Sequence, residues 1–378
     1  MEELIPRFFK SPKESFFLFG PRGTGKSTWL RSNYKDALWV DLLDPDTFRP
    51  YIAKPERLEE LVFGNPGKKT VIIDEVQKAP ALLDVVHGLI EKKLKIQFIL
   101  TGSSARKLKR TSVNLLAGRA LKRSFYPFIA SELSDKFDFQ NALEFGMLPL
   151  AFNSSNKDDV LRAYVSLYIS EEVKAEGLVR NIGNFSRFLE AVSFSHSSQL
   201  NIANVAADCQ VERKVVENYV SILEDLMLSC RIPVFTKRAK RAVASHPKFY
   251  FFDVGVYRSL RPRGPLDKPE EVEGAALEGL VAQHLLAWNA YHGEKNSLYY
   301  WRTRAGSEVD FVLYGSGKFW AIEVKNSKKI SDADLRPLRT FKEDYPECKT
   351  FFLYRGSERL LKYGIQCMPC EEFLKELI

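Results

Sequence analysis

The amino-acid sequence predicts an α/β protein in which a parallel sheet with crossover helices comes first, a helical region follows, and a further α/β domain ends the chain. Short apolar segments alternate with amphipathic segments over residues 1–130, which is typical of parallel strands joined by helices. Residues 155–230 have helical periodicity almost throughout. After residue 272, strand-like segments lie between two helical segments. The predicted strands of the first region are FFLFG, ALWVDLL, VIIDEV and IQFILTG.

Length and composition limit the class of protein. The chain has 378 residues, which corresponds to two or three domains. Hydrophobic residues account for 45% and charged residues for 28%, so we do not expect a disordered or fibrous chain. We find no apolar run that could cross a membrane and no signal peptide, and the 5 cysteines do not suggest a disulfide scaffold. We therefore expect a cytoplasmic protein.

Basic charge is distributed unevenly along the chain. The formal net charge is +8, and residues 92–131 contain ten Lys or Arg residues without a single acid. Residues 232–252 contain five Lys or Arg residues, again without an acid. Each stretch could be an ordinary solvated face, but most surfaces mix both signs of charge. The pattern therefore favours a polyanionic partner, and we expect DNA.

The most specific motif is GPRGTGKS at residues 20–27, which fits G-x-x-x-x-G-K-[ST] without departure. It follows an apolar strand and precedes a helix, as a phosphate-binding loop requires. Its glycines let backbone N–H groups curl around phosphate oxygens. Lys26 would reach the β- and γ-phosphates, and the Ser27 hydroxyl would bind Mg²⁺. The residues expected to bind ATP are Gly20, Pro21, Arg22, Gly23, Thr24, Gly25, Lys26, Ser27 and Thr28.

The third predicted strand, VIIDE at residues 71–75, ends in two carboxylates. Asp74 would hold Mg²⁺ through water, and Glu75 would polarise the attacking water. The alternative interpretation is an exposed acidic strand end. We expect Lys26, Asp74 and Glu75 to be catalytic.

Two further segments are candidates for the same site. The strand at residues 97–100 is followed by the hydroxyls of Thr101 and Ser103, which could sense the γ-phosphate. Arg119 follows a glycine and could stabilise transition-state charge, either in its own subunit or in a neighbouring one. An ordinary strand-to-loop turn and a surface arginine are the respective alternatives.

These motifs carry a resemblance. Residues 1–135 resemble the AAA+ branch of P-loop ATPases. The segments GPRGTGKST, VIIDEVQKAP, LTGSSARKL, LLAGR and FYPFIASEL are similar to those of bacterial and archaeal AAA-type ATP-binding proteins whose C-terminal domain has no known function. The similarity extends through KFYFFDVGVYRSL to about Asn326. It implies ATP and Mg²⁺ as cofactors, and assembly into a homo-oligomer, either a ring such as a hexamer or a smaller assembly.

The middle of the chain resembles a winged helix. A short helix is predicted over residues 200–208, a turn over 209–211, a second helix over 212–226, and a basic hairpin over 232–253. The buried stripe of the second helix would comprise Val211, Val215, Tyr219, Ile222 and Leu226. Alternatively the module packs against another domain or a partner, because three glutamates on the second helix would repel phosphate. The expected DNA-binding residues are Arg213, Lys214, Lys237, Arg238, Lys240 and Arg241.

The C-terminal region contains a second cluster of charged residues. A strand with Asp310 is joined by a short turn, residues 315–317, to a strand with Glu323 and Lys325. Strand alternation places Glu323 and Lys325 on one face, and the hairpin brings Asp310 close to Glu323. Glu278 lies at the edge of the apolar stripe of a preceding helix, where it could face the sheet.

This order of Glu, Asp and Glu-x-Lys resembles the PD-(D/E)xK nuclease superfamily. The resemblance implies that Asp310 and Glu323 bind Mg²⁺, that Glu278 assists, and that Lys325 positions the nucleophile or stabilises the phosphate. Alternating charges also protect edge strands against aggregation, and such a fold can persist as a binding module that does not cut. Nuclease activity is therefore left open.

We expect four domains: an ATPase domain at residues 1–135, a helical connector at 136–198, a winged-helix module at 199–262 and a nuclease-like domain at 263–378. Residues 262–272, rich in proline and charge, are predicted to be a linker. The expected function is ATP-dependent DNA processing or remodelling in repair or recombination, on branched DNA for example. One alternative is an ATP-regulated switch that binds a protein through a non-cleaving nuclease fold. Another is a nucleic-acid-cleaving defence effector licensed by ATP.

Overall fold

The computed structural model describes residues 4–103, 116–169, 173, 181–237, 246–265 and 267–378. The contacts divide the chain into two units. The smaller unit is formed mainly by Arg7–Pro127, and the larger by Phe128–Glu224 with Leu228–Ile378. Within the described residues, no helix combines the length and the apolar character needed to cross a membrane.

The smaller unit is built on a parallel sheet. Its strands lie in the order β2-β3-β4-β1-β5, with parallel pairing throughout. Strand β1 is buried along its whole length and β3 is buried from residue 71 to residue 74, as their apolar runs predict. The elements are β1 Phe16–Phe19, α1 Lys26–Asn33, β2 Leu38–Asp41, α2 Pro45–Ala53, α3 Arg57–Phe63, β3 Thr70–Asp74, α4 Leu82–Glu91, β4 Gln97–Gly102 and β5 Leu121–Ser124. The predicted parallel α/β architecture is confirmed, and β5 is an additional strand.

The register of this sheet aligns the carboxyl ends of its strands. Phe19, the last residue of β1, lies beside Gly102, the last residue of β4. Asp74 ends β3 and pairs with Asp41 at the end of β2. The loops that follow β1, β3 and β4 therefore meet at one edge of the sheet, which is where open α/β sheets bind ligands.

The larger unit begins with helices. Their amino ends carry capping side chains: Asp138, Asn156 and Asn181 each accept a hydrogen bond from a backbone N–H of the first turn. The helices are α5 Ala130–Leu133, α6 Phe139–Phe145, α7 Pro149–Phe152, α8 Lys157–Ala163 and α9 Ile182–Ser193. A further helical segment of wider turn, Tyr164–Ile169, follows α8.

A small antiparallel sheet follows in the order β6-β8-β7. Its elements are β6 Ser198–Gln199, α10 Ile202–Cys209, α11 Arg213–Asp225, β7 Ser229–Ile232 and β8 Lys248–Phe251. Tyr219, Ile222 and Leu226 are buried, as the predicted stripe requires. Val211, which precedes α11, is only half-buried. Val215 is also half-buried, because α11 turns Val216 toward the core in its place.

The C-terminal sheet has the order β13-β14-β12-β11-β10-β9. Strands β9, β10 and β11 form an antiparallel meander, and β12 pairs with β11 in parallel. The elements are α12 Val254–Leu260, α13 Pro269–Tyr291, β9 Asn296–Arg302, β10 Glu308–Gly315, β11 Lys318–Val324, α14 Asp332–Asp344, β12 Lys349–Tyr354, β13 Leu360–Lys362, β14 Ile365–Pro369 and α15 Cys370–Glu376.

The segment predicted as a linker at residues 262–272 is partly helical, because α13 begins at Pro269. Proline suits the first turn of a helix, where its missing N–H is not needed. Glu270 and Glu271 follow it and are stabilised by the partial positive charge of the helix amino end. The prolines and charges that suggested a linker therefore mark a helix start.

Candidate functional site

The GPRGTGKS loop lies between β1 and α1, at the carboxyl edge of the parallel sheet. Gly23 and Gly25 have positive φ angles of 77° and 88°, which favour glycine. Gly20 lies so close to the chain just after β5 that a Cβ atom there would be 2.2 Å from the carbonyl oxygen of Phe125. The glycines thus allow a tight loop that directs its backbone toward the start of α1.

Lys26 is buried inside this loop. Its Nζ donates to the carbonyl oxygens of Gly20 at 2.7 Å and Pro21 at 3.1 Å. The Thr24 hydroxyl also donates to Pro21, at 2.8 Å, and Arg7 Nη1 donates to the Thr24 carbonyl at 3.0 Å. These bonds hold the loop in a closed ring with the ammonium group of Lys26 at its centre. A bound phosphate would therefore replace two carbonyl oxygens as the hydrogen-bond partner of that ammonium group.

Asp74 connects the loop to two strands. Its Oδ2 accepts from the Ser27 hydroxyl at 2.7 Å, and its Oδ1 accepts from the Thr101 hydroxyl. The Thr101 oxygen in turn accepts from the backbone N–H of Glu75 at 3.1 Å. The structure thus brings together both residues predicted to hold Mg²⁺, Ser27 and Asp74, with the predicted sensor Thr101. Oxygen donors of this kind suit Mg²⁺.

Glu75 follows Asp74 in a left-handed backbone conformation, with φ of 59°. Its carboxylate accepts from the Gln77 side-chain amide, which also donates to the Ser103 hydroxyl at 3.0 Å. Burial raises the pKa of Glu75, and the Asp74 charge adds to this, although Lys26 and Arg22 oppose it. Sequence reasoning missed Gln77, whose position two residues after Glu75 was the available signal.

Two further predicted residues, Thr28 and Arg119, have exposed or partly exposed side chains. Thr28 is exposed on α1, and Pro21 is buried in the loop. Arg119 pairs with Glu91 of α4, and both side chains are partly exposed. A catalytic role of Arg119 stays a prediction.

The C-terminal strands bring the predicted carboxylates together. Phe311 pairs with Ile322, and one step further along this antiparallel register Asp310 lies opposite Glu323. Asp310 Oδ2 accepts from the backbone N–H of Val324 at 2.9 Å. Lys325 Nζ lies 3.2 Å from Glu323 Oε1, on the same face.

A lysine that sequence reasoning missed lies at the centre of these carboxylates. Lys248 of β8 is 2% exposed, and its Nζ contacts Glu278 Oε1 at 2.9 Å, Glu308 Oε1 at 2.5 Å and Asp310 Oδ1 at 3.0 Å. Tyr250 of the same strand donates to Glu278 Oε1 at 2.5 Å. The available signal was a single charged residue in an otherwise aromatic strand, KFYF.

The cluster contains more carboxylates than ammonium groups. Burial, followed by the Asp310 charge, raises the pKa of Glu278 to about 7 and raises that of Glu323 well above its usual range. Burial alone would lower the pKa of Lys248, but the surrounding carboxylates raise it well above its usual range. The cluster therefore favours the charged form of Lys248 and disfavours the charged forms of Glu278 and Glu323.

The contacts of this cluster decide whether it could hold a magnesium ion. The carboxylate donors suit Mg²⁺, and Glu323 Oε2 is buried with no partner in the part of the chain that the structure describes. Both oxygens of Asp310 are engaged, however, one by Lys248 and one by the backbone. No group of three or more His, Cys, Asp or Glu among the described residues is arranged to hold a metal. In this arrangement the cluster does not fit a divalent cation.

Three of the six residues predicted to contact DNA are among the described residues. Arg213 and Lys214 are exposed at the start of α11. Lys237 Nζ lies 4.7 Å from the ring centre of Tyr314. Arg238, Lys240 and Arg241 lie outside the described residues.

A basic cleft in the larger unit was not predicted. It encloses about 630 Å³ between α6, α8 and α12, and Arg258, Arg261 and Arg263 line it. Arg258 Nε is buried with no hydrogen-bond partner among the described residues, and burial together with the Arg263 charge lowers the pKa of Arg258. Arg261 pairs with Asp267 at 2.7 Å. The crowding of arginines suits an anionic ligand.

Comparison with family models divides the chain into three parts. An AAA domain matches residues 12–134. A domain of unknown function (DUF8612) matches residues 136–267, and another (DUF4143) matches residues 273–373. With the parallel sheet and the loop geometry above, the match shows an AAA-type ATPase domain with a nucleotide-binding site. The predicted α/β fold class is confirmed.

The following relatives and solved structures share 26% sequence identity or less with this chain. Uncharacterised proteins of Mycobacterium tuberculosis and Mycobacterium bovis are each 26% identical over 371 residues, covering 94% of this chain and 80% of theirs. AMPPCP-bound DnaA from Aquifex aeolicus is 13% identical with a TM-score of 0.30, covering 56% of this chain and 81% of that one. A protein of Vibrio cholerae is 10% identical with a TM-score of 0.22, covering 96% of both chains. The assignment of the ATPase domain rests on the AAA match.

Proposed function

We propose that this protein is an ATP-dependent DNA-processing ATPase, which hydrolyses ATP at the Gly20–Ser27 loop and contacts DNA through its larger unit. The observation that supports it best is the network of Ser27, Asp74 and Thr101 beside Lys26 and Glu75. A phosphate-binding loop, two candidate magnesium ligands and a buried carboxylate meet there at one edge of a sheet. Such an arrangement matches the requirements of phosphoryl transfer.

Each residue of this site has a distinct task in the proposed reaction. Lys26 exchanges its carbonyl partners for the β- and γ-phosphate oxygens, and the loop N–H groups orient them. Ser27 and Asp74 would hold Mg²⁺, which when bound neutralises phosphate charge. Glu75 orients the attacking water and accepts its proton, and Gln77 holds the Glu75 side chain toward Ser103.

The proposed DNA contact is non-specific. The exposed Arg213 and Lys214, together with the basic cleft at Arg258 and Arg263, offer positive charge to a phosphate backbone. The sheet order β6-β8-β7 with α10 and α11 supports a winged-helix module over residues 199–262. Branched DNA as substrate, a role in repair or recombination, a cytoplasmic location and a homo-oligomeric state belong to the same proposal.

For the C-terminal domain we propose a nuclease-like fold. The order of a helix with Glu278, a meander with Asp310 and Glu323-x-Lys325, then a helix and a parallel strand supports it. The position of Lys248 favours a second candidate function, in which this domain binds without cutting and the protein is an ATP-regulated switch for a protein partner.

ATP hydrolysis by the purified protein with single-stranded, duplex and four-way-junction DNA separates the two functions. A DNA-processing ATPase should be stimulated by at least one DNA form, and its DNA binding should weaken steeply with salt. Basal turnover that no DNA form stimulates, with no DNA binding at physiological salt, would favour the protein-binding switch. Lys26→Ala supplies the blank.

A further inference from the structure

We infer that the Lys248 ammonium group takes the place of a divalent cation in the carboxylate cluster, so that this site binds such a cation only after Lys248 has left. The inference deepens the proposed nuclease-like fold of the C-terminal domain. It does not depend on the ATPase reaction.

The geometry of Lys248 is that of a central cation. Its Nζ lies 2.5 to 3.0 Å from oxygens of Glu278, Glu308 and Asp310, which come from α13 and β10. An ammonium group has three donors and here finds three carboxylate partners. The carboxylates therefore converge on the lysine as they would on a metal ion.

The lysine is held in place from its own strand. The neighbouring Tyr250 hydroxyl binds the same Glu278 oxygen, and the Ser197 hydroxyl donates to the other Glu278 oxygen at 3.2 Å. Tyr250 is itself buried. Lys248 lies in the small antiparallel sheet, whereas Glu308 and Asp310 lie in the C-terminal sheet and Glu278 lies on α13.

A lysine and a divalent cation exclude each other at this position. Two positive groups within about 3 Å repel strongly where water is excluded. A metal would also need the Asp310 Oδ1 and Glu278 oxygens that Lys248 now holds. Lys248 and a divalent cation therefore compete for the same carboxylate oxygens, and the cluster as it stands is filled by the lysine.

The test is Mn²⁺ binding, followed by electron paramagnetic resonance of free Mn²⁺ in nucleotide-free protein. All variants carry Asp74→Ala, which removes the candidate ligand at the ATP site. We expect no Mn²⁺ site in this background protein. Lys248→Met should gain a site whose Kd is at least about tenfold lower than that of any residual Mn²⁺ binding by the background protein, and adding Asp310→Asn should abolish it.

The matched control is Lys325→Met, which removes a more exposed ammonium group from the same cluster but leaves Lys248. It should gain no site, and equal gain in both lysine variants would overturn the inference. The inference would also be overturned if the background protein bound Mn²⁺ and Asp310→Asn abolished that binding. This second measurement does not depend on whether Lys248→Met folds. ATP hydrolysis of Lys248→Met in the otherwise unmodified chain separates failure here from failure of the ATPase proposal.

Discussion

The Ser27 hydroxyl donates a hydrogen bond of 2.7 Å to Asp74, and so joins the phosphate-binding loop to the end of β3. The two residues are 47 positions apart in sequence, and the parallel sheet alone brings them together. Both are candidate ligands of the same magnesium ion. Thr101 donates to the other oxygen of Asp74, so the same carboxylate joins the loop, β3 and β4.

Thr101→Val should lower kcat for ATP hydrolysis with little change in ATP affinity. Valine keeps the shape of threonine but loses both the donor to Asp74 and the acceptor for the Glu75 N–H. We expect a loss of about tenfold, the scale of one hydrogen bond in the transition state. Steady-state kinetics and nucleotide titration measure the two effects. Thr350→Val, a buried threonine in the other unit, is the control, and equal losses in both variants would contradict the role of Thr101.

Replacing Arg258 and Arg263 together by glutamine should weaken DNA binding and lower its salt dependence. Each lost phosphate contact reduces the slope of log K against log salt by about 0.9 for duplex DNA, so we expect a decrease of up to about 2. Fluorescence anisotropy at several salt concentrations provides the slopes. The control replaces the exposed Arg336 and Arg339 of α14. An unchanged slope in the cleft variant would exclude this cleft as a DNA contact.

Mild acid should lower the free energy of unfolding of the larger unit, because the folded state disfavours protonation of His284. Its Nδ1 is 2.8 Å from the Leu280 carbonyl, and its Nε2 accepts from the Ala130 N–H at 2.9 Å, so both nitrogens are used by the neutral ring. Burial lowers the pKa of His284 to about 4. The unfolded chain therefore takes up the proton first, and the stabilisation, complete above pH 6.5, is lost as pH falls toward 4.

Between pH 7.5 and pH 5 this effect amounts to about 2 kcal/mol. Denaturant unfolding of the wild type and of His284→Gln at pH 7.5 and pH 5 measures it. The variant should be less stable at pH 7.5 but should lose less stability on acidification. An equal loss in both proteins would show that another group dominates the acid response.

The sequence was informative where chemistry demands fixed spacing. The loop glycines, Lys26 and the Asp74–Glu75 pair follow from local patterns, and the alternation of strands and helices predicted the parallel sheet that assembles them. The hairpin of β10 and β11 likewise predicted that Asp310 and Glu323 face each other, because strand alternation and a short turn define the register.

Contacts that depend on the packing of separate elements could not be predicted in this way. Lys248 lies 30 residues before Glu278 and 62 before Asp310, and no motif joins them. The basic cleft was missed for a similar reason, because it combines residues of three helices, and its Arg263 lies in the segment that was interpreted as a linker. Prolines and charges at a helix start have the same composition as a flexible connection.

The most direct test of the account is ATP binding and hydrolysis by Glu75→Gln beside the wild type and Lys26→Ala. Glutamine preserves the shape and the hydrogen bonding to Gln77 but cannot accept a proton from water. We expect Glu75→Gln to bind ATP as tightly as the wild type and to hydrolyse it at least about a hundredfold more slowly, since general-base catalysis contributes at least that factor. Lys26→Ala should lose both properties. Wild-type turnover by Glu75→Gln would contradict the assignment of Glu75 as the catalytic base, and with it the proposed ATPase mechanism.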